Sequence, residues 1–217
     1  MDRMHSRDDV LSEDVADEDI VYDDEIDHVD TRPRALVVAA WVLVVSGAVG
    51  LIGAVALLME RLALLGDASY IPQCNVNDVL SCGSVIESWQ ASVIGDLPNP
   101  VLGIIGFPIV IVTGVVVLAG ARLPDWYWGA FLGGTLCAVA FIHWLAWQSF
   151  FVIGALCPYC MVVWLATMCT LAAILVAMAA QGHYSRRLIK WMPIAVVAWV
   201  VLIVVLAFVR FGSEVIA

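Results

Sequence analysis

Charge is what this sequence mostly lacks. Only 14% of its 217 residues are charged and 63% are hydrophobic, whereas a soluble globular domain is about a quarter charged and about half apolar. Residues 126–185 contain no Asp, Glu, Lys or Arg at all. With a mean hydropathy of +0.96, a soluble enzyme is excluded. Lys and Arg number 10 in total and form no basic stripe, which removes nucleic acid from the candidate partners. Also missing are a short basic leader and an A-x-A site, so the first apolar run is a retained anchor and not a cleaved signal peptide.

The acidity that exists is concentrated. The net charge is −10, yet most of it sits in residues 1–34, in runs such as Asp8-Asp9, Asp17-Glu18-Asp19 and Asp23-Asp24-Glu25. A segment of this composition cannot bury enough apolar surface to offset its ordering entropy. It reads as a disordered, solvated cytoplasmic tail without chemistry of its own.

What remains is a set of apolar spans. About 20 apolar residues cross a bilayer. Residues 35–59 carry no charge and form the first span, and 101–121 form the second. The uncharged stretch 126–185 is too long for one helix. Gly154-Ala155-Leu156-Cys157-Pro158 breaks it into a third span ending near Ile153 and a fourth opening at Pro158. Residues 191–209 make a fifth, with Pro193 in its first turn, where a missing N–H costs nothing. The expected fold is an all-α integral membrane protein. It divides into the tail 1–34, a four-helix bundle 35–180 with a long loop 60–100, and a basic loop plus fifth helix in 181–217.

Orientation follows from the basic residues. With the N-terminus in the cytoplasm, Arg3, Arg7, Arg32, Arg34, Arg122, Arg186, Arg187 and Lys190 lie inside, while Arg61 and Arg210 lie outside. The loop 60–100 and the Cys157 turn then share the extracytoplasmic side.

Four of the six cysteines fall on that side, as Cys74-x7-Cys82 in the loop and Cys157-x2-Cys160 at a helix start. Thiols there tend to become disulfides. Read as structural staples, they are of small use: closing a loop of about nine residues contributes about 2.6 kcal/mol. Cys157 at the N-cap, with Pro158 at N1 and Cys160 at N3, places thiols where unpaired N–H groups and the positive helix end favour a thiolate. That suits a redox dithiol. A zinc site fits the cysteine count, but the spacing and the oxidising side disfavour it, and no metal is expected. Ser84 and Glu87 form an S-x-x-E capping box. They suggest a short amphipathic lid helix with Val85, Ile86, Trp89 and Val93 on one apolar face and Cys82 just before its start. Cys137 and Cys169 lie mid-span and read as small hydrophobes. His143 reads either as a proton relay or as a packing histidine. Trp144 and Trp147 are candidates for stacking on a ring, although packing is the commoner use.

The order Cys74-x7-Cys82, Ser88, a span, then Cys157-Pro158-Tyr159-Cys160 at the start of a later span resembles the vitamin K epoxide reductase family, in its bacterial branch, over residues 35 to about 180. The resemblance implies four helices around a membrane quinone of the menaquinone or ubiquinone type, with a fifth helix beside them. It implies that Cys74 meets a thioredoxin-like disulfide-forming protein, Cys82 passes electrons to Cys157, and Cys160 faces the quinone. Ser88 and Asn99 match family positions beside the quinone, although Asn99, between Pro98 and Pro100, is also placed to cap the second span. The chain stops at Ala217 with no fused thioredoxin-like domain, so the expected partner is a separate extracytoplasmic protein. Met161-Val162-Val163-Trp164 stands where vertebrate members carry a threonine-threonine-tyrosine run, which makes a quinone rather than an epoxide the implied substrate. The implied location is the plasma membrane. The competing class is a membrane transporter or assembly scaffold with structural disulfides; it predicts mid-membrane charges or inverted repeats, and the spans show no such charges.

Overall fold

A computed structural model describes residues 33–212 except 68, 78, 94 and 96. The expected acidic tail lies almost wholly outside the described residues. Five helices are long and apolar enough to cross a membrane: α1 (Arg34–Gly66), α3 (Pro100–Leu118), α4 (Asp125–Gln148), α5 (Pro158–Ala180) and α6 (Arg187–Phe211). A five-residue α2 (Cys82–Ile86) sits in the loop between α1 and α3. The protein is a multi-pass, all-α membrane protein.

The spans match the expected ones with three informative differences. Helix α6 begins at Arg187, so Pro193 is its seventh residue and lies inside the helix rather than in its first turn, where the missing N–H does cost a hydrogen bond. Helix α1 continues seven residues past Met59, because nothing breaks it before Gly66. At about 1.5 Å per residue its 33 residues reach about 50 Å, well beyond a ~30 Å hydrocarbon core. The extra turns carry Glu60 and Arg61 up beneath the loop. Helix α4 ends in a π-helical turn (Ser149–Ile153) closed by Gly154 at φ 75°, ψ 18°, a left-handed conformation that glycine adopts without the Cβ penalty.

Helix α1 is the centre of the bundle, packed against α3 on one side and α5 on the other. Its small residues allow this approach. A Cβ at Gly50 would lie 2.3 Å from the Phe107 ring, so the α1–α3 contact depends on a missing side chain. The hydroxyls of Ser46 and Thr170 join α1 to α5 by a buried 3.1 Å hydrogen bond. Helix α4 packs on α5, but α3 and α4 barely touch, and the space between them is a cavity.

The expected lid differs in register. Its N-cap is Ser81, not Ser84: the Ser81 side chain accepts from the Ser84 N–H at 3.4 Å. Cys82 is therefore the first residue of α2 rather than a residue ahead of it. The helix ends at Ile86 and gives way to a 3₁₀ turn (Trp89–Ala91). Trp89 and Val93 thus leave the face of Ile86 and are 68% and 39% exposed. The Ser84-x-x-Glu87 pattern was a false cap because Ser81, three residues earlier, offers the same hydroxyl.

A redox site between the loop and the start of α5

A bridge and a buried glutamate fasten the loop to the bundle, and an asparagine fastens it to itself. An isolated parallel bridge pairs Leu80 with Leu156: the Leu156 N–H donates to the Val79 carbonyl at 2.7 Å, and the Ser81 N–H donates to the Leu156 carbonyl at 3.0 Å. Asn75 Oδ1 accepts from the Gly83 N–H at 3.0 Å and the Ser81 hydroxyl at 3.3 Å. Glu60, buried at the top of α1, accepts from the Tyr70 hydroxyl at 3.1 Å and the Gln73 N–H at 3.4 Å. Gln73 precedes Cys74, so Glu60 holds the backbone beside the first cysteine. Hydrogen bonds to a charged group contribute about 1.5–3 kcal/mol each. Glu60→Ala removes both bonds and should destabilise the protein by about 3 kcal/mol in a thermal unfolding series, and Glu60→Gln, which keeps an acceptor oxygen, should cost less.

These fastenings bring the cysteines together. Cys74 and Cys82 form a disulfide. Because Cys82 follows Leu80 by two residues and Cys157 follows Leu156 by one, the bridge sets them side by side, with 3.0 Å between their sulfurs. Cys157 caps α5, its sulfur accepting from the Cys160 N–H at 3.4 Å. Leu57, Ile86 and the side chains around them enclose the group. Cys82 and Cys157 are 0% and 1% exposed and Cys74 is 5% exposed, so all three sulfur-bearing residues are buried. The sulfurs of Cys74, Cys82 and Cys157 lie within 4.8 Å of one another. Two of them share a disulfide, which leaves a single thiol as a potential metal ligand.

The Cys157 thiol is held below its ordinary range, first by the hydrogen bond from the Cys160 thiol and then by the Cys160 and Tyr159 N–H groups; burial and the Glu60 carboxylate act in the opposite direction. A lowered value means that the thiolate persists to lower pH. With the loop disulfide intact and Cys157 reduced, reaction with a small aromatic disulfide should therefore have its midpoint below that of an ordinary cysteine thiol. In Cys160→Ala the midpoint should rise.

Cys160, one turn into α5, borders the cavity between α3 and α4. The cavity has a volume of about 780 Å³ and runs from Arg61, Ile86, Gln90, Asn99 and Cys160 at the loop end to Trp126 and Tyr127 at the other. Its wall is almost entirely apolar. Asn99 lies on this wall but does not cap α3. Its Nδ2 donates to the Gln90 carbonyl at 2.6 Å and its Oδ1 accepts from the Val93 N–H at 3.1 Å, so it ties the 3₁₀ turn to the start of α3. Ser88 is not on the wall; its hydroxyl donates to the Val85 carbonyl at 2.6 Å. Trp144 and Trp147 are not on the wall either. Trp144 packs on Trp89 and Phe141, and Trp147 on Phe151; Phe107, Phe131, Phe141 and Trp164 line the space instead. Both nitrogens of His143 are occupied: Nδ1 pairs with the Val139 carbonyl at 2.7 Å and Nε2 accepts from the Trp199 indole of α6 at 2.9 Å. It packs helix against helix. Cys137 also borders the cavity.

Two site residues were not singled out from sequence. Gln90 is 3% exposed, lines the cavity and donates to the Gln148 side chain at 3.4 Å. Arg61 lines the same mouth and donates to the Ile86 carbonyl at 3.1 Å. For Arg61 the available signal was a charge just past a long apolar span; Gln90 offered none.

No curated protein matches the chain. The profile of the Vitamin K epoxide reductase family matches residues 41–175, a stretch that takes in α2, α3, α4, most of α1 and α5, and all four clustered cysteines. The chain belongs to the vitamin K epoxide reductase family.

Proposed function

We propose that this membrane oxidoreductase reoxidises a soluble thioredoxin-like protein on the extracytoplasmic side of the plasma membrane and delivers the electrons to a membrane quinone of the menaquinone or ubiquinone type. The observation that carries the reading is the 3.0 Å contact between Cys82, half of a loop disulfide, and Cys157, capping a helix whose next turn borders an apolar cavity. Family membership supports thiol–disulfide chemistry, and the Lys/Arg bias supports a cytoplasmic N-terminus.

The exchange balances as follows. The partner's dithiol reduces Cys74–Cys82 and becomes a disulfide, leaving two electrons and two protons on the loop pair. The Cys82 thiolate attacks the Cys157 sulfur of a Cys157–Cys160 disulfide; that bond breaks and Cys160 leaves with the electron pair and takes a proton. The Cys74 thiolate then attacks Cys82, which restores the loop disulfide and releases Cys157 as a thiolate that takes the second proton. Each displacement passes through a mixed disulfide. A quinone bound in the cavity supplies the sink, accepting two electrons and two protons.

The residues fit such an acceptor. The cavity is apolar and large enough for a ring and part of a tail, and its few polar groups, Asn99, Gln90 and Arg61, gather at the end where Cys160 lies. Asn99 and Gln90 hold and orient the ring there; Ser88 opens the turn that carries Gln90 into place. Purified protein given a reduced thioredoxin-like donor and a quinone should form quinol, and replacing any of the four cysteines should stop it. Turnover indifferent to all four would favour the scaffold reading with structural disulfides.

A further inference from the structure

The fifth helix is an unusual neighbour. The first half of α6 buries no side chain, and its two buried residues, Ile203 and Ala207, both lie toward the loop end. They share a cluster with Phe150 and with Leu156, which is 0% exposed, and Leu80, Trp199 and Phe211 pack against it. Leu80 and Leu156 are the two residues of the bridge that aligns Cys82 with Cys157. At the same end, Arg210 Nε donates to the Phe150 carbonyl at 3.1 Å. That carbonyl falls in the final π-helical turn, where helix carbonyls lack regular partners. The Phe211 ring stacks on Phe150 at 6.1 Å. Residues 199, 203, 207 and 210–211 recur at one helical face, so a single stripe of α6 grips the segment 149–156 that leads into Cys157.

We propose that α6 is a brace for the redox turn: its loop-end half fixes residues 149–156, and with them the Leu80–Leu156 bridge, in the register that holds Cys157 against Cys82, with Arg210 as the positioning residue. This deepens the relay reading and rests on it. Arg210 touches no cysteine. It acts by completing the carbonyl end of α4, so that Gly154 and Leu156 leave the helix in one direction. An arginine at this helix end replaces a carbonyl's lost backbone partner with a charged donor.

The test uses full-length protein carrying Cys74→Ala and Cys160→Ser, in which Cys82 and Cys157 face each other as the two remaining thiols of the site. Formation of the Cys82–Cys157 disulfide under a fixed oxidant is followed by mass spectrometry of non-reduced peptides. Adding Arg210→Ala should slow formation at least fivefold, and Arg210→Lys, which still donates, should stay within twofold. With Cys82 also replaced by Ala, the reactivity of Cys157 toward a small aromatic disulfide should be unchanged by either, because the thiol itself is not altered. Should Arg210→Ala not be recovered from the membrane, Phe211→Ala removes the neighbouring stack on Phe150, part of the same grip, and carries the same expectation. Unchanged formation in these variants overturns the brace, and so does a parallel rise in small-disulfide reactivity, which would mean general loosening. Absence of the link in the parent itself would instead overturn the relay.

Discussion

Oxidised Cys74→Ala protein should contain a peptide in which Cys82 is linked to Cys157. With Cys74 gone, the thiol that would resolve the mixed disulfide by attacking Cys82 is missing, and the intermediate accumulates. The two sulfurs already stand 3.0 Å apart in a pocket sealed by Leu57 and Ile86, so no rearrangement is needed to join them. Cys160 can still attack from the Cys157 side and regenerate Cys157–Cys160, so the single variant should give both linkages. Adding Cys160→Ser should drive the Cys82–Cys157 form close to completion. Mass spectrometry of non-reduced peptides decides the matter. If Cys157–Cys160 is the sole product of the single variant under every oxidant, electrons do not pass between these pairs.

Much of the architecture was legible in the sequence because the bilayer leaves so few choices. A 60-residue stretch without Asp, Glu, Lys or Arg must fold back once, and Gly154 and Pro158 say where. The helix starts were readable for the same reason: Pro158 at N1 behind Cys157 fixes the N-cap. The loop was harder. Ser81 and Ser84 are both credible caps, and choosing between them requires knowing that Leu80 pairs with Leu156, a contact 76 residues away that no local pattern announces. The error displaced Cys82 by several positions relative to its helix and put Trp89 on the wrong face.

The cysteines could be found by spacing, but their mutual placement could not. Cys82 meets Cys157 because a two-hydrogen-bond bridge, a buried glutamate and an asparagine each pin one part of the loop, and the bridge, which does the aligning, joins residues far apart in sequence. Asn99 shows the same limit. Its position before Pro100 suggested a helix cap, yet its amide bonds the backbone of residues 90 and 93 instead of the helix end. Gln90 was invisible as a site residue because an isolated glutamine in a loop carries no motif; only folding places it at the mouth of the cavity. Trp144 and Trp147 fail as ring-stacking candidates for a related reason. Helical periodicity shows which residues share a face, not which neighbour that face meets.

Replacing Cys160 should have the largest effect on turnover. Cys157 is 1% exposed and does not border the cavity, whereas Cys160 does. The same α5 turn thus offers one sulfur to the loop disulfide and the other to the apolar space. In Cys160→Ala, Cys157 cannot close a disulfide with its neighbour, so Cys82 has no sulfur–sulfur bond to attack and the sulfur facing the cavity is gone. Quinone reduction driven by a thioredoxin-like donor should fall at least about a hundredfold, since the covalent route has no substitute group. Reduction of the Cys74–Cys82 disulfide by the same donor should survive, because that step lies upstream. Following both readouts on one sample separates a broken relay from a misfolded protein. Turnover within about tenfold of the parent would mean that electrons reach the cavity by another path and would remove Cys160 from the scheme.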